Sequence, residues 1–416
     1  MAVETLVGRA SHLGRSGIEP EHRMTGAPTR VTSFVMDPSL SMANLERKLF
    51  PTFKPRDKDP VLFDLSGCTW IEPTVLLYLI ATLKSRIIHG WPTTLRLPRN
   101  ENVLYFLEAW RFPEAFQAAT GKAFADVVDG NGAEYFKSDH TESNPYLGAH
   151  VETPYGADRL LSKYYFEIHT FQRQRDLFEP AFALSEAAKW GRMSLVLRSV
   201  LRGPSNLLAS RIVYEALANA IRHPGADTIQ LVSQLVRKPR SLHGEFVVTF
   251  WDDGTPIADT LQTAVRRGEA IRPASDIGLT AKYRVSIQNG FEAASDRGDR
   301  TSDEVPDGTG REEDFLLASV FPGTTSDATG HRDVPEEFDD PRSTMLAQPG
   351  MGLYLLANTA VSVYGGEVFI RSGNWRLKLQ SMDAPDYYLA SLRHYKGWPP
   401  FRGNLISVRL PLQNDR

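Results

Sequence analysis

Cysteine is almost absent: Cys68 is the single one in the chain. An internal disulfide is therefore excluded, and so is a zinc site built mainly from thiolates. Long apolar runs are missing too. The longest, Val75 to Ala81, falls well short of the roughly 20 residues needed to cross a bilayer. Several Arg residues precede Val31, but no apolar signal core accompanies them, which argues against secretion. Neither charge dominates. The formal net charge is −3, so bulk charge does not drive nucleic-acid binding, although a local basic patch stays open. No Gly-x-Ser-x-Gly elbow and no Cys-centred nucleophile stand out. These absences predict a chain of the reducing cytoplasm with no membrane association.

What is present suits a globular protein. The 416 residues are 42% hydrophobic and 23% charged, enough for two or three domains with real cores. Residues 1–30, rich in Gly, Arg, Ser and Pro, read as a tail. Residues 31–120 form a first unit: a strand at Val61–Gly67, a helix from Thr74 to His89 stopped by Gly90, a strand at Thr93–Pro98 and a helix at Asn102–Trp110. That alternation implies an α/β layer with parallel neighbours. Residues 121–184 read as a connector, with a strand candidate at Tyr164–Thr170 and a helix candidate at Asp176–Trp190.

From 185 onward a second unit is expected. A helix runs from Ser205 to His223, followed by an antiparallel hairpin of Thr228–Val236 and Glu245–Trp251 with a basic tip at Arg237, Lys238 and Arg240. Further strands are expected at Glu367–Ser372, Trp375–Gln380 and Leu405–Leu410. Residues 292–345, dominated by Asp, Glu, Gly, Ser, Thr and Pro, read as part of a long flexible insertion spanning about 259–347.

The sharpest chemical signal is Tyr214-Glu-Ala-Leu-Ala-Asn-Ala-Ile-Arg-His223. Glu215, Asn219 and His223 recur every four residues, so a helix places them along one stripe. A carboxylate, an amide and an imidazole there suit proton handling, metal coordination or phosphate contact. The competing reading is an amphipathic helix with its polar stripe in solvent. Three later blocks shift the balance: Asp252-Asp-Gly254-Thr-Pro256-Ile257 at the end of an apolar strand, Gly350-Met-Gly352-Leu at a helix start, and Gly403-Asn404 opening a terminal strand.

In this order the blocks resemble the GHKL ATPases, which include topoisomerase and mismatch-repair ATPase domains, heat-shock chaperones, histidine kinases and anti-sigma-factor serine kinases. The resemblance covers about residues 185–416 and implies a Bergerat-type α/β sandwich that binds ATP with Mg²⁺. By it, Asn219 would hold Mg²⁺, and Glu215 would position or deprotonate the attacking nucleophile. His223 completes the helix motif. Asp252 would accept from the adenine amino group, and Gly254 would let the backbone approach the base. Gly350 and Gly352 would cradle phosphates, and Asn404 would replace a hydroxyl that touches a phosphate. Pro256 departs from the family's second glycine and removes an N–H from the turn.

The first unit resembles a STAS domain, the fold of anti-sigma-factor antagonists, through Asp64-Leu-Ser-Gly67 and the later Glu72-Pro-Thr-Val75. By that resemblance Thr74 would take the phosphoacceptor position at a helix N-terminus; the alternative is a capping role. Arg266, Arg267 and Arg272 lie at the entrance of the insertion, where they could meet phosphates or a partner. His331 has no ligand set nearby, and His169 does not head a dimerisation helix.

The expected function is that of an Mg-ATP-binding regulatory protein, either an ATPase or a kinase transferring phosphoryl to Ser or Thr of a protein partner such as a STAS-type factor. One alternative is an ATP-gated homodimeric clamp related to topoisomerase or mismatch-repair ATPases, which would bring nucleic acid in as a less favoured partner. Another is a nucleotide-sensing scaffold without catalysis.

Overall fold

The computed structural model describes residues 31–49, 59–129, 132–136, 140, 143–144, 166–176, 182, 186, 205–222, 225–237, 244–267, 284–289, 299–301, 312–320, 352–381, 387–395 and 401–411. It is mixed α/β. In the N-terminal unit, β1 (Thr32–Val35), β3 (Val61–Asp64) and β5 (Thr93–Arg96) form a three-stranded parallel sheet in the order β1-β3-β5. Helix α2 (Pro73–Ile88) supplies the crossover from β3 to β5 that parallel strands need. Short β2 (Ser39–Leu40) and β4 (Trp70–Ile71) pair beside it, and α1 (Met42–Leu49), α3 (Glu101–Ala109) and α4 (Phe112–Thr120) complete the unit.

The remainder is organised on a nine-stranded sheet. Its strands are β6 (Phe166–Gln172), β7 (Thr228–Arg237), β8 (Gly244–Asp252), β9 (Arg284–Asn289), β10 (Asp299–Thr301), β11 (Glu367–Gly373), β12 (Trp375–Ser381), β13 (Tyr387–His394) and β14 (Phe401–Pro411). They lie in the order β10-β9-β13-β12-β11-β14-β8-β7-β6, antiparallel except where β13 meets β9. The hairpin β7–β8 and the strands β11, β12 and β14 fall where the alternation placed them. Strand β6 comes from the stretch read as a connector and forms one edge of the sheet, paired with β7.

Alternation along each strand sends side chains to two different cores. Ile229, Leu231, Phe246, Val248, Phe250, Ile370, Ile406 and Val408 face helices α5 (Ser205–Arg222), α6 (Ile257–Arg266), α7 (Glu312–Ala318) and α8 (Gly352–Asn358). Val232, Trp251, Phe401 and Leu405 instead join the core of the N-terminal unit. Helix α2 is buried from Pro73 through Arg86 because it lies between its own small sheet and the large one. The large sheet thus completes the core of the N-terminal unit, and the units expected at 31–120 and 185–416 pack directly on each other.

Part of the expected insertion is packed structure. Within 259–347, most of α6 and all of α7 pack into the helix-side core, with Leu261, Phe315, Leu316 and Leu317 buried. Their apolar residues are few, but each is fully used. No helix among the described residues is long and apolar enough to cross a membrane.

Charged groups cross the junction between the units. Arg376 Nη1 meets Glu46 Oε2 at 2.5 Å, Arg409 pairs with Glu72, and Lys84 pairs with Asp253. Arg371 is fully buried and stacks on Tyr395, 4.0 Å from the ring centroid. None of its three guanidinium nitrogens meets an acceptor in hydrogen-bonding geometry among the described residues. A buried cation without an acceptor costs stability, whereas breaking a paired one exposes the partner to the full desolvation penalty. In thermal unfolding, Arg371→Met is expected to be neutral or stabilising, and Glu46→Ala to cost about 3 kcal/mol. A loss above about 2 kcal/mol in Arg371→Met would show that its charge has a partner after all.

Candidate functional site

The C-terminal half of α5 is buried almost all round: Ile212, Val213, Tyr214, Ala216, Leu217, Ala218 and Ala220 are all core residues. The polar stripe of Glu215 and Asn219 therefore does not face open solvent, as an ordinary amphipathic helix would have it. Glu215 is buried and Asn219 partly so. Asn219 Nδ2 is itself buried with no hydrogen-bond partner among the described residues. A buried amide group without a partner is uncommon in folded proteins.

Gly352, the first residue of α8, explains how two helices approach here. A Cβ at that position would stand 2.9 Å from Asn219 Oδ1 and 3.1 Å from Glu215 Oε2. The glycine leaves room over those two side-chain ends, which a Cβ would push aside. His223 and Gly350 lie outside the described residues.

Facing α5 across a cleft is the end of β8. The register of the sheet sets Asn404 directly opposite Asp252, and Ser372 directly opposite Asn404, across β11, β14 and β8. Cross-strand neighbours on one face touch. Ser372 Oγ accordingly donates to Asn404 Oδ1 at 2.7 Å, and Asn404 Nδ2 donates to Asp252 Oδ1 at 3.1 Å and Oδ2 at 3.3 Å. The backbone N–H of Gly254 donates to Asp252 Oδ1 at 3.0 Å. Asn404 also reaches the carbonyl of Thr255 at 3.1 Å and accepts from Ile257 N–H at 3.0 Å. Its amide is thus engaged in orienting Asp252 and the following turn.

Two further expectations take new form. Gly254 lacks a side chain because a Cβ would stand 3.0 Å from Asp252 Oδ1 and 3.2 Å from the backbone nitrogen of Ala226; internal packing already requires it. Pro256 precedes the first residue of α6, and the next N–H, that of Ile257, is taken by Ser372 Oγ at 2.8 Å and by Asn404. The turn loses nothing by having proline there.

Thr74 is placed far from any acceptor role. It is fully buried in α2, with its Oγ1 3.3 Å from Thr249 Oγ1 on the large sheet. A phosphoryl group could reach it only after the units separate. Of the basic residues at the insertion entrance, Arg266 and Arg267 end α6, and Arg272 lies outside the described residues. Among the described residues no cluster of His, Cys, Asp and Glu is arranged to hold a metal. Cys68 is buried, which pushes its thiol up to about 11.

The cleft itself is lined by apolar Ala216, Ile229, Phe250, Ile257, Leu353 and Ile406, with Asn219, Asp252 and Asn404 as its polar groups. The cleft is narrow: its enclosed volume is about 10 Å³, room for about one water. Asp252 is 7% exposed. Burial pushes its carboxyl up to about 7, against the opposing pull of the Gly254 N–H and the Asn404 amide; the neighbouring charge of Asp253 adds to the rise. Sequence reasoning missed Ser372, whose place in the polar row depends on strand register alone. Comparison with family models, curated proteins and solved structures finds no match.

Two outcomes follow. Asp252 has its folded pKa raised, so the folded state holds the proton between 3.8 and about 7 while the unfolded chain releases it. Its contribution to stability therefore falls as pH rises through that window. Asp252→Asn removes the dependence, and denaturant titrations should show the variant gaining on the wild type from pH 4 to pH 7. Gly403 has φ of +80°, and a Cβ there would sit 1.7 Å from the carbonyl oxygen of Asp252. Gly403→Ala is expected to destabilise by more than about 3 kcal/mol, and by more than Gly352→Ala, in the same assay.

Proposed function

We propose that the cleft binds an adenine nucleotide with Mg²⁺, in a domain of the GHKL type with a Bergerat-like sandwich, and that the N-terminal unit is a STAS-like interaction module. The observation that carries the reading is the Ser372–Asn404–Asp252 row. It presents one oriented carboxylate in a slot otherwise lined mostly by apolar side chains, a pattern that suits a planar heteroaromatic ring with an exocyclic amino donor once the walls part to admit it. Motifs separated by more than 100 residues of sequence meet there.

The residues opposite fit the rest of the ligand. Asn219 would turn its amide oxygen to Mg²⁺, a hard cation that prefers oxygen donors, and its Nδ2, buried without an acceptor, would donate to a phosphate oxygen. Bound Mg²⁺ supplies charge neutralisation to the phosphate oxygens. Glu215, one turn before Asn219, would orient a water or a hydroxyl nucleophile and take its proton. Apolar walls exclude bulk water from the slot, which strengthens the Asp252 contact.

The reaction class that follows is phosphoryl transfer from ATP, either to water or to Ser or Thr of a protein partner. A non-catalytic sensor is the second reading. It is favoured by the turn at Pro256–Ile257, where no backbone N–H remains for a ligand. Purified protein with γ-labelled ATP separates the outcomes: label on protein means a kinase, free phosphate means an ATPase, and bound unreacted ATP means a sensor. Glu215→Ala is expected to keep nucleotide affinity within a fewfold while lowering turnover about a hundredfold or more. Asp252→Asn should weaken affinity about tenfold or more, read by titration calorimetry, because one acceptor is lost. Failure of the folded wild type to bind any adenine nucleotide overturns the proposal.

A further inference from the structure

The wall of the cleft is reached from the other face of the sheet by a buried ion pair. Lys84 belongs to α2 of the N-terminal unit, and its Nζ pairs with Asp253 Oδ2. Their side chains are 8% and 2% exposed. The same Nζ lies over the ring of Trp251, 5.5 Å from its centroid. Asp253 Oδ1 is engaged elsewhere, accepting from the backbone N–H groups of Asp227 at 2.8 Å and Thr228 at 2.9 Å. Its carbonyl accepts from Arg402 Nε at 3.3 Å. One carboxylate thus clamps the end of β8 to the start of β7, and one ammonium from the N-terminal unit neutralises it.

The two residues that precede Asp253 both border the cleft: Trp251, whose ring lies in the other core under Lys84, and Asp252, the proposed contact of the ligand. Their backbone positions depend on the clamp. We propose that Lys84 is a positioning residue for the cleft, through which docking of the N-terminal unit sets nucleotide affinity. This rests on the adenine-nucleotide reading. Without Lys84 the Asp253 carboxylate is buried and uncompensated; it draws in water to keep its charge solvated, and that loosens the clamp. The coupling is reciprocal: whatever docking does for nucleotide, nucleotide does for docking.

The test uses the full chain, a fluorescent adenine nucleotide and variants whose folded fraction is checked by circular dichroism. Lys84→Met is expected to weaken affinity about tenfold or more, and Lys84→Arg to stay within about threefold of the wild type. Adding Asp253→Asn to Lys84→Met should restore most of the loss. That change keeps an oxygen for the Asp227 and Thr228 N–H groups and removes the orphaned charge.

The pH profile separates positioning from mere support. Asp252 faces Asp253 on its own strand and Asn404 from β14; Asp253 faces Lys84 from α2, Asp227 at the head of β7 and Arg402 from β14. With Lys84 gone, the Asp253 charge acts on Asp252 unopposed. The pH at which affinity is half lost then moves up in Lys84→Met and returns in the double variant. A purely structural Lys84 would lower the folded fraction and leave that midpoint in place. In the wild type, nucleotide should also slow amide exchange within α2, a measurement independent of whether any variant folds. Unchanged affinity in folded Lys84→Met, an unmoved midpoint, or unchanged α2 exchange overturns the proposal. Absence of nucleotide binding by the wild type sinks the nucleotide reading itself, and this inference with it.

Discussion

Burial of two adjacent carboxylates at the end of β8 is the constraint from which the architecture around the cleft follows. A carboxylate taken out of water must be paired, hydrogen-bonded or protonated. Asp252 is served by Asn404 and the Gly254 N–H, Asp253 by Lys84 and the N–H groups of Asp227 and Thr228. Each of these partners comes from a different part of the chain. The sheet register, the turn after β8 and the docking of α2 must therefore all be correct together. Gly403 shows how tight the arrangement is, since its lack of a side chain is what lets β14 pass the Asp252 carbonyl.

The same burial explains why the molecule is not two independent halves. A sheet covered on one face only would show polar residues on the other. Here Val232, Trp251 and Leu405 carry apolar surface to the second face, and α2 covers it. Charges placed at that junction are matched across it: Glu46 with Arg376, Glu72 with Arg409, Lys84 with Asp253. Matched buried charges favour one docked arrangement over slipped ones, because a slip would leave an ion unpaired.

Much of the element pattern was legible in the sequence. Helices α2, α3 and α5, the hairpin β7–β8, and strands β3, β5, β11, β12 and β14 have clear periodicity and clear stops, and they fall within a few residues of expectation. Strands β9 and β13 and helices α6 and α7 were not read. Helix α7 contributes three consecutive apolar residues, Phe315 to Leu317, set in acidic sequence, and only its contact with the core reveals it as structure. Of the candidate site, Glu215, Asn219, Asp252, Gly254, Gly352 and Asn404 are all close to the cleft. Ser372 was missed because a lone serine in a strand carries no signal until its cross-strand neighbour is known.

By itself the sequence determined which segments can bury themselves and which residue types sit at their ends, since periodicity and turn chemistry are local properties. It also set the stripe of Glu215 and Asn219, because helical spacing is fixed by backbone geometry. Tertiary structure alone decided that this stripe faces a cleft, that Asn404 holds Asp252, that Thr74 is enclosed and that Lys84 reaches Asp253. The last three of those outcomes join residues from 152 to 175 positions apart. Contacts at such separations come from sheet register and layer packing, which no local pattern encodes.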